Sequence, residues 1–452
     1  MHFEEFILAH DTDDLGQLAL ARDRYAFPEF DVALTTLECR RKLAGKVPEW
    51  VALPSLRFPV RLSAEQCSSS QTARYKALVA AMAVGLPSET CGHPRPHKRE
   101  GPTAGGRGRE ATVSEGKPAA IADLTGGLGV DSWAFAQVFG EVLYNEMQPQ
   151  LAAAVEQNFR ELGLGNVTVK CSRLVSQARE ADGSTVREIL AGFSPDILFL
   201  DPARRAADGR KVFRLEDCDP NVLQLLPELL EACPRVLLKL SPMADISLVC
   251  RQLGCVSAVH VVAAGGECKE LLLLLERGHE GPCALTVYEN GSVMVVDQDQ
   301  GMADPGADPG AGPGLAGMAA TGPEGSLGAP APGQLLFEPG KALLKAGAFD
   351  TPCRYGLKKL GRHTHLYVGA EVPEALRPFG KVYQILEVAP LNHRSIKEIG
   401  QKYPQAEVTA RNIPITSNQL RTKLGVRSGG TLHIFGVRLD LRNTNALIVS
   451  KL

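Results

Sequence analysis

Apolar residues recur at helical spacing over residues 3–10, 13–22 and 31–44, so the chain opens on amphipathic helices. Ser63-Ala64-Glu65-Gln66 offers a capping-box start for one further helix, running through Gln71-Thr72-Ala73-Arg74-Tyr75-Lys76 to about residue 84. Residues 1–84 therefore predict a helical lobe. From 85 to 117 the periodicity dissolves into Gly, Pro, Arg and Glu, as in His93-Pro94-Arg95-Pro96-His97-Lys98-Arg99, and predicts a disordered insertion. The pattern then changes to short apolar runs at 119–124, 142–145, 167–170, 196–200 and 236–240. Helical patterns separate them, notably at 131–139, 149–162 and 221–232, and this alternation predicts an α/β domain over 118–279 with a largely parallel sheet. Two more runs, 258–263 and 270–275, lie too close together for a crossover helix and predict an antiparallel hairpin.

Past the sheet, runs at 284–288 and 293–297 flank Glu289-Asn290-Gly291-Ser292, a hairpin turn signal. Residues 299–334 are dominated by Gly, Ala and Pro and read as a linker with no means of building a core. Structure is expected to resume at Leu335-Leu336-Phe337-Glu338-Pro339. The tail, 379–452, mixes strand patterns at 382–388, 406–410 and 432–437 with helical ones at 395–399 and 417–424, the plan of a small α+β module.

A chain of 452 residues exceeds one ordinary core, in keeping with two or three domains. The start, Met1-His2-Phe3-Glu4-Glu5-Phe6, lacks the basic and apolar regions of a signal peptide, and no apolar run spans a bilayer. The expectation is a cytoplasmic protein with no membrane partner. Eleven scattered cysteines suit free thiols in a reducing compartment. The near-zero net charge hides an asymmetry: residues 351–452 carry 16 Lys+Arg against 6 Asp+Glu, while the rest of the chain is acidic. Such a basic end attracts polyanions or simply forms a solvated surface.

The strongest chemical signal is Ala122-Asp123-Leu124-Thr125-Gly126-Gly127-Leu128-Gly129-Val130-Asp131, a glycine-rich loop leaving a buried strand. Glycines let backbone approach a ligand where side chains would collide, and a doubly wound sheet binds such ligands over the carboxyl ends of its strands. With S-adenosyl-L-methionine as the cofactor, Asp123 suits the ammonium of the methionine tail and Thr125 its carboxylate. Gly126, Gly127, Gly129 and Asp131 would line the loop. Glu146 ends the next strand, followed by Met147, and an acid there can accept both ribose hydroxyls. Lys170-Cys171-Ser172-Arg173 follows the third strand, which leaves Ser172 for the adenine side. Five strands with helical crossovers and then a hairpin is the element order of class I methyltransferases and argues against a plain dinucleotide-binding fold.

The fourth strand ends in Phe199-Leu200-Asp201-Pro202-Ala203-Arg204-Arg205. This resembles the Asp/Asn-Pro-Pro-aromatic motif of amino-methylating enzymes, which implies that Asp201, with Pro202, Ala203 and Arg204, holds a target nitrogen near the methyl group, mainly by positioning. Ala203 and Arg204 depart from that motif. The variant also looks like the Asp-Pro-Pro-Arg of RNA uracil-C5 methyltransferases, but Leu238-Lys239-Leu240-Ser241-Pro242-Met243 holds no cysteine nucleophile beside strand five. Arg204 and Arg205 can pair with a phosphate, or with Glu216 or Asp217. Lys239 reads as held against a carboxylate. No metal site is expected, since Cys250 and Cys255 have no matched ligands nearby.

Three blocks together resemble one bacterial family of class I methyltransferase-like proteins with a ferredoxin-like segment and a C-terminal THUMP-like domain. They are residues 62–76, the Asp123 loop with Asp201-Pro202-Ala203-Arg204-Arg205, and Val408-Thr409-Ala410-Arg411-Asn412-Ile413-Pro414. The resemblance implies a Rossmann-like class I methyltransferase sheet with a terminal antiparallel hairpin, an N-terminal helical lobe, a ferredoxin-like segment over 280–298 and 335–378, and a THUMP-like α+β module. THUMP domains bind RNA, commonly tRNA, so the resemblance implies an RNA partner, tRNA or rRNA, with Arg411, Asn412, Arg421, Lys423 and Arg427 as contacts. Asn412 and Pro414 also suit the end of a strand, with Ser417 capping a helix. For Gln66, Ser68, Arg74 and Lys76 the residues allow either a capped helix with a polar surface or a lobe closing over the cofactor. A methyltransferase acting on RNA, one acting on a protein or small molecule, and a non-catalytic RNA-binding protein retaining the fold all remain open at this level.

Overall fold

The computed structural model describes residues 2–25, 27–87, 118–176, 183–204, 214–296 and 327–452. The expected insertion, apart from residues 85–87, and most of the linker lie outside them. The chain divides into two compact units, residues 1–259 with 270–283 and residues 260–269 with 284–452.

In the first unit six helices precede the sheet among the described residues: α1 (Phe3–His10), α2 (Leu15–Leu20), α3 (Phe30–Leu43), α4 (Pro48–Val51), α5 (Arg61–Gln66) and α6 (Ser70–Ala83). The lobe has a core of its own, in which Phe3, Phe6, Ile7, Leu18, Phe30, Ala33 and Leu37 are buried. The single helix expected from Ser63 to residue 84 is two. Cys67 is extended, and Ser69 takes over as N-cap, accepting from the Thr72 amide at 3.2 Å. The break turns Ser68 inward, where only 7% of its surface is exposed.

The sheet strands are β1 (Ala120–Asp123), β2 (Glu141–Glu146), β3 (Val167–Cys171), β4 (Ile197–Leu200), β5 (Arg235–Leu240), β6 (Val256–Ala264) and β7 (Glu267–Glu276). Every residue of β1 and β4 is buried, as suits strands covered on both faces. Between the strands lie α7 (Val130–Ala136), α8 (Pro149–Glu161), α9 (Val186–Ile189), α10 (Val222–Ala232) and α11 (Ile246–Leu253). The order across the sheet is β3-β2-β1-β4-β5-β7-β6, parallel through β5 and antiparallel where β7 inserts beside it. This is the class I methyltransferase fold with its closing hairpin. The hairpin is longer than expected, because Gly265 and Gly266 both adopt positive φ and close it in two residues. The lobe packs on this layer: Trp50 meets Trp133 edge to face at 6.1 Å. Asn158 of α8 also exchanges two 2.8 Å hydrogen bonds with the Arg57 backbone.

The second unit includes a hairpin of β8 (Ala284–Glu289) and β9 (Ser292–Val296), and β8 follows β6 in strand order. Its main sheet has seven strands among the described residues. These are β10 (Leu335–Pro339), β11 (Lys358–Lys359), β12 (Tyr367–Gly369), β13 (Gly380–Pro390), β14 (Glu407–Arg411), β15 (Leu432–Leu439) and β16 (Thr444–Lys451), in the order β11-β12-β10-β13-β16-β15-β14. Side chains alternate across it: Phe435 joins Leu336, Tyr383 and Ile448 on one face. Ile434, Leu447 and Val449 meet α12 (His393–Lys402) and α13 (Ser417–Leu424) on the other. The sequence pattern did not predict β16, which lies inside the sheet between β13 and β15. The expected linker also ends early. Leu327 pairs with Lys359, the Gly328 amide donates to Lys359 O at 2.8 Å, and the Gly333 amide donates to Ile385 O at 2.9 Å. No helix among the described residues is long and apolar enough to cross a membrane, and none of the ten cysteines there is in a disulfide.

Candidate active site

The glycine loop leaves the carboxyl end of β1 and is braced from below. The Gly126 amide donates to Asn145 O at 2.7 Å, and the Tyr144 hydroxyl donates to Gly127 O at 2.6 Å. Gly129, at φ 86°, is the N-cap of α7, and a Cβ there would lie 2.9 Å from both Val155 and Phe159. At Gly126 a Cβ would fall 2.1 Å from the Tyr144 ring, which is wholly buried and held by its hydroxyl. Gly126→Ala is therefore expected to cost about 2 kcal/mol, the overpacking range, and to uncouple the loop from β2. Urea denaturation read alongside calorimetric binding of S-adenosylhomocysteine checks both effects.

Asp123 is 1% exposed. Its carboxylate accepts from the Thr125 amide at 3.1 Å and the Ser132 hydroxyl at 2.6 Å. Both donors are uncharged. Burial, helped by the neighbouring carboxylates of Asp131 and Asp201, pushes its pKa up to about 8. Glu146 ends β2, and its two oxygens accept from the Gly127 amide at 3.0 Å and the Gln148 amide at 2.8 Å, which fixes the carboxylate against the loop. Asn145 bridges the strand ends by donating to Leu124 O and Ser172 O, while its buried Oδ1 has no partner among the described residues. The Ser172 hydroxyl lies 3.1 Å from that of Ser184, and Met147 is 52% exposed.

The expected reaction residues stand beside this loop. The Asp201 amide donates to Thr125 Oγ1 at 2.6 Å, so the glycine loop and the end of β4 are joined. Accepting that bond leaves Thr125 its hydroxyl proton to donate. Pro202 is buried, and Ala203 and Arg204 pair antiparallel with Asp219 and Cys218. The Arg204 side chain and Arg205 lie outside what is described, so their choice between a phosphate and Glu216 or Asp217 rests on the sequence alone.

Asp201 Oδ2 bonds to Lys239 Nζ at the end of β5, as the sequence reading of Lys239 anticipated. Lys239 also lies 3.8 Å from Glu270 of β7, and Glu270 accepts from Lys76 of α6 at 2.6 Å. Lys76 is wholly buried. It donates to the Ser68 hydroxyl at 2.9 Å and lies 3.2 Å from Asp131 Oδ1, while Ser68 donates to Asp131 Oδ2 at 2.9 Å. The Lys76–Asp131 contact is ionic without hydrogen-bond alignment, which is why Asp131 Oδ1 lacks a donor. For Ser68 and Lys76 the polar-surface reading is thus corrected: both turn inward to Asp131 behind the glycine loop. Arg74 fits the surface reading, pairing with Glu49 at 2.6 Å over the Trp133 ring. Burial pulls the Lys239 amine down, but Asp201 and Glu270 outweigh it and hold it above its usual range. Sequence reasoning missed Glu270, which looks like an ordinary residue in the strand Glu270-Leu271-Leu272-Leu273.

In the second unit, Arg411 donates to Glu338 at 2.7 Å, and Glu338 also accepts from the Tyr383 hydroxyl at 3.0 Å, so this arginine is engaged within the fold. Asn412 is exposed in a left-handed turn with φ 54°. Lys423 and Arg427 are exposed and Arg421 half-buried at the end of α13. The helix cap is Thr416 rather than Ser417, whose hydroxyl instead accepts from the Ala410 amide at 3.0 Å. No cluster of three or more metal-ligating side chains occurs among the described residues.

Family models match two segments: a ferredoxin-like domain over residues 335–376 and a THUMP domain-like segment over residues 380–451. Among solved structures, the chain is similar to a presumed methyltransferase from Porphyromonas gingivalis W83. The two share 24% identity over 99% of this chain and 97% of that one, with a TM-score of 0.73, which establishes a shared fold. An rRNA methylase from Streptococcus thermophilus matches at 13% identity over 35% of this chain and 86% of that one, with a TM-score of 0.25. A T. thermophilus 16S rRNA N2 G1207 methyltransferase, solved with AdoMet and guanosine, matches at 16% identity over 35% and 37%, also at 0.25. No curated protein matches the chain.

Proposed function

We propose that this protein transfers a methyl group from S-adenosyl-L-methionine to a base amine or ring nitrogen in a structured RNA, tRNA or rRNA. The observation that carries the reading is the bond between the Asp201 amide and Thr125, which fastens an Asp-Pro reaction loop to a glycine cofactor loop at the strand ends of a class I fold. The donor set fits this cofactor. Three carboxylates, of Asp131, Asp201 and Glu270, gather around two ammonium groups, of Lys76 and Lys239, and Asp123 lies near enough to Asp131 and Asp201 to feel their charge. Asp123, held by uncharged donors, suits an incoming ammonium, and a ligand of net positive charge relieves the surplus.

In this assignment Asp123 takes the tail ammonium and the Thr125 hydroxyl donates to the tail carboxylate, while Gly126, Gly127 and Gly129 present backbone and Asp131 steadies the first turn of α7. Glu146, already fixed by two amides, keeps lone pairs for the ribose hydroxyls. Met147 offers an exposed apolar surface to the adenine, with Ser172 at its edge. When bound, the cofactor supplies an electrophilic methyl group on a sulfonium. Asp201 accepts an N–H of the target and so orients the nitrogen lone pair, with Pro202, Ala203 and Arg204 framing it, and the proton shed after methylation leaves through half-exposed Asp201 to water.

Nucleoside mass spectrometry of RNA from wild type, a deletion strain and an Asp201→Ala strain tests the proposal. One methylated nucleoside missing from both altered strains supports it, and an unchanged profile across all RNA classes overturns it. The THUMP-like module is the proposed RNA contact, through Asn412, Arg421, Lys423 and Arg427, with Arg411 contributing only if it leaves Glu338. Lys423→Glu with Arg427→Glu is expected to weaken binding of bulk tRNA about tenfold and to lower the salt slope by about one to two. Fluorescence anisotropy from low to high salt checks this, and salt-insensitive, negligible affinity in the wild type would favour a protein or small-molecule substrate instead.

A further inference from the structure

The charges behind Asp201 run in alternation through the first unit: Asp201, Lys239, Glu270, Lys76, Asp131. They come from the loop after β4 and from β5, β7, α6 and α7. The side chains of Lys239, Glu270 and Lys76 are 12%, 4% and 0% exposed, so only the Asp201 end opens to solvent. A buried ion chain of this kind is a poor way to gain stability, because desolvation offsets most of the Coulombic attraction. What it does well is orient. Each member is held from two sides, so the last one reaches the surface in a fixed direction.

We infer that Glu270 and Lys76 are positioning residues for the reaction centre: they hold Lys239, as an ammonium, against Oδ2 of Asp201, so that Asp201 meets its target through Oδ1 alone. The inference rests on the proposed methyl transfer and adds to it the reason for the helical lobe. Lys76 is supplied by α6, and with Ser68 it also steadies Asp131 in the first turn behind the glycine loop. One lysine of the lobe therefore braces the cofactor loop and, through Glu270, the reaction loop. The target site that results offers a single acceptor oxygen beside a buried ammonium. That arrangement suits an uncharged amino or imino nitrogen and disfavours an alkylammonium, which would meet Lys239.

The test uses the full chain, wild type and Glu270→Gln, labelled at lysine Cε, with the Lys239 resonance assigned by its loss in Lys239→Met. Titration by NMR with S-adenosylhomocysteine bound is expected to keep Lys239 protonated to the alkaline limit in the wild type. In Glu270→Gln its midpoint should fall by at least one pH unit, because an anion that favours the charged form has gone. Methyl transfer to bulk RNA from a deletion strain should lose at least tenfold in kcat, with its alkaline limb moved to lower pH. KM for S-adenosylmethionine should stay within about threefold, because no group assigned to the cofactor changes. Glu270→Asp keeps the charge and shortens the reach, and serves if the Gln variant does not fold, with a smaller loss of kcat in the same direction. An unmoved Lys239 titration in Glu270→Gln overturns the inference, as does wild-type kcat in either variant. Wild-type protein that binds S-adenosylhomocysteine but methylates no RNA overturns the RNA reading instead, and the titration still decides the positioning role.

Discussion

Asp201→Ala is expected to lower methyl transfer about a thousandfold, the middle of the range for a positioned acid–base group, while S-adenosylhomocysteine binds within about threefold of wild type. The separation follows from which atoms of Asp201 do what. Its amide bonds to Thr125 Oγ1, and truncating the side chain leaves that bond in place, so the glycine loop keeps its brace. Its carboxylate holds Lys239 and, in the proposed assignment, faces the target. With the carboxylate gone, Lys239 retains Glu270 at 3.8 Å, so its charge does not become an unpaired buried ion. Asp201→Asn keeps one acceptor oxygen and weakens only the pairing, and should fall about tenfold to a hundredfold. Single-turnover transfer of labelled methyl groups, with cofactor affinity measured by calorimetry, separates the two effects. Equal loss of cofactor binding in both variants would move Asp201 from the reaction centre to the cofactor site.

Cofactor-free protein should lose stability as pH rises from about 4 to about 8, and Asp123→Asn should abolish that loss. The sign follows from proton counting. Asp123 has its pKa raised from 3.8 in the unfolded chain to about 8 in the fold, so between those values the folded state holds the extra proton. Stability is then greatest below the unfolded value, declines across the window and is level above pH 8. The displacement corresponds to about 6 kcal/mol, an upper bound on what thermal or urea melts would register, since carboxylates lowered by pairing elsewhere, such as Glu49 and Glu387, act in the opposite sense. S-adenosylmethionine brings a cation to this carboxylate in the proposed assignment. The gain in Tm on adding it should therefore grow from pH 6 to pH 8 in the wild type and be small at every pH in Asp123→Asn. A variant more stable than wild type at pH 8 yet unable to bind the cofactor is the expected pairing, because the charge that burdens the fold is the one that serves the ligand. A stability profile identical in the two proteins would remove Asp123 from this role.

The local patterns carried the architecture further than the site. Apolar runs separated by helical stretches gave β1 to β5 within a residue or two, and the short gap after residue 263 gave the antiparallel hairpin. The order β3-β2-β1-β4-β5-β7-β6 then follows, because right-handed crossovers leave few other arrangements. The continuous helix expected over residues 63–84 failed for a local reason that its periodicity hid: three serines in succession let Ser69 cap a new helix while Ser68 turned inward. The last strand, Thr444–Lys451, went unread because its core run, Ala446-Leu447-Ile448-Val449, lacks the alternation that marks a half-buried strand. It is buried on both faces inside its sheet.

At the site the division is sharper. The glycine loop, Glu146 and Asp201 were legible because each is fixed by neighbours close in sequence: a loop must turn where Gly126 meets Tyr144, and an acid must follow the strand that supports it. Lys76 and Glu270 were not, although they lie 2.6 Å apart, because 194 residues separate them along the chain. A buried lysine and a strand glutamate acquire meaning only when each finds the other in a place without water, and that pairing is a property of packing. The sequence by itself determined the class of fold and marked the glycine loop and the carboxylate to which the proposal assigns the cofactor and the target. Tertiary structure alone decided how that carboxylate is held, because the four ions behind it, Lys239, Glu270, Lys76 and Asp131, come from four separate elements and interact strongly only where packing excludes solvent between them.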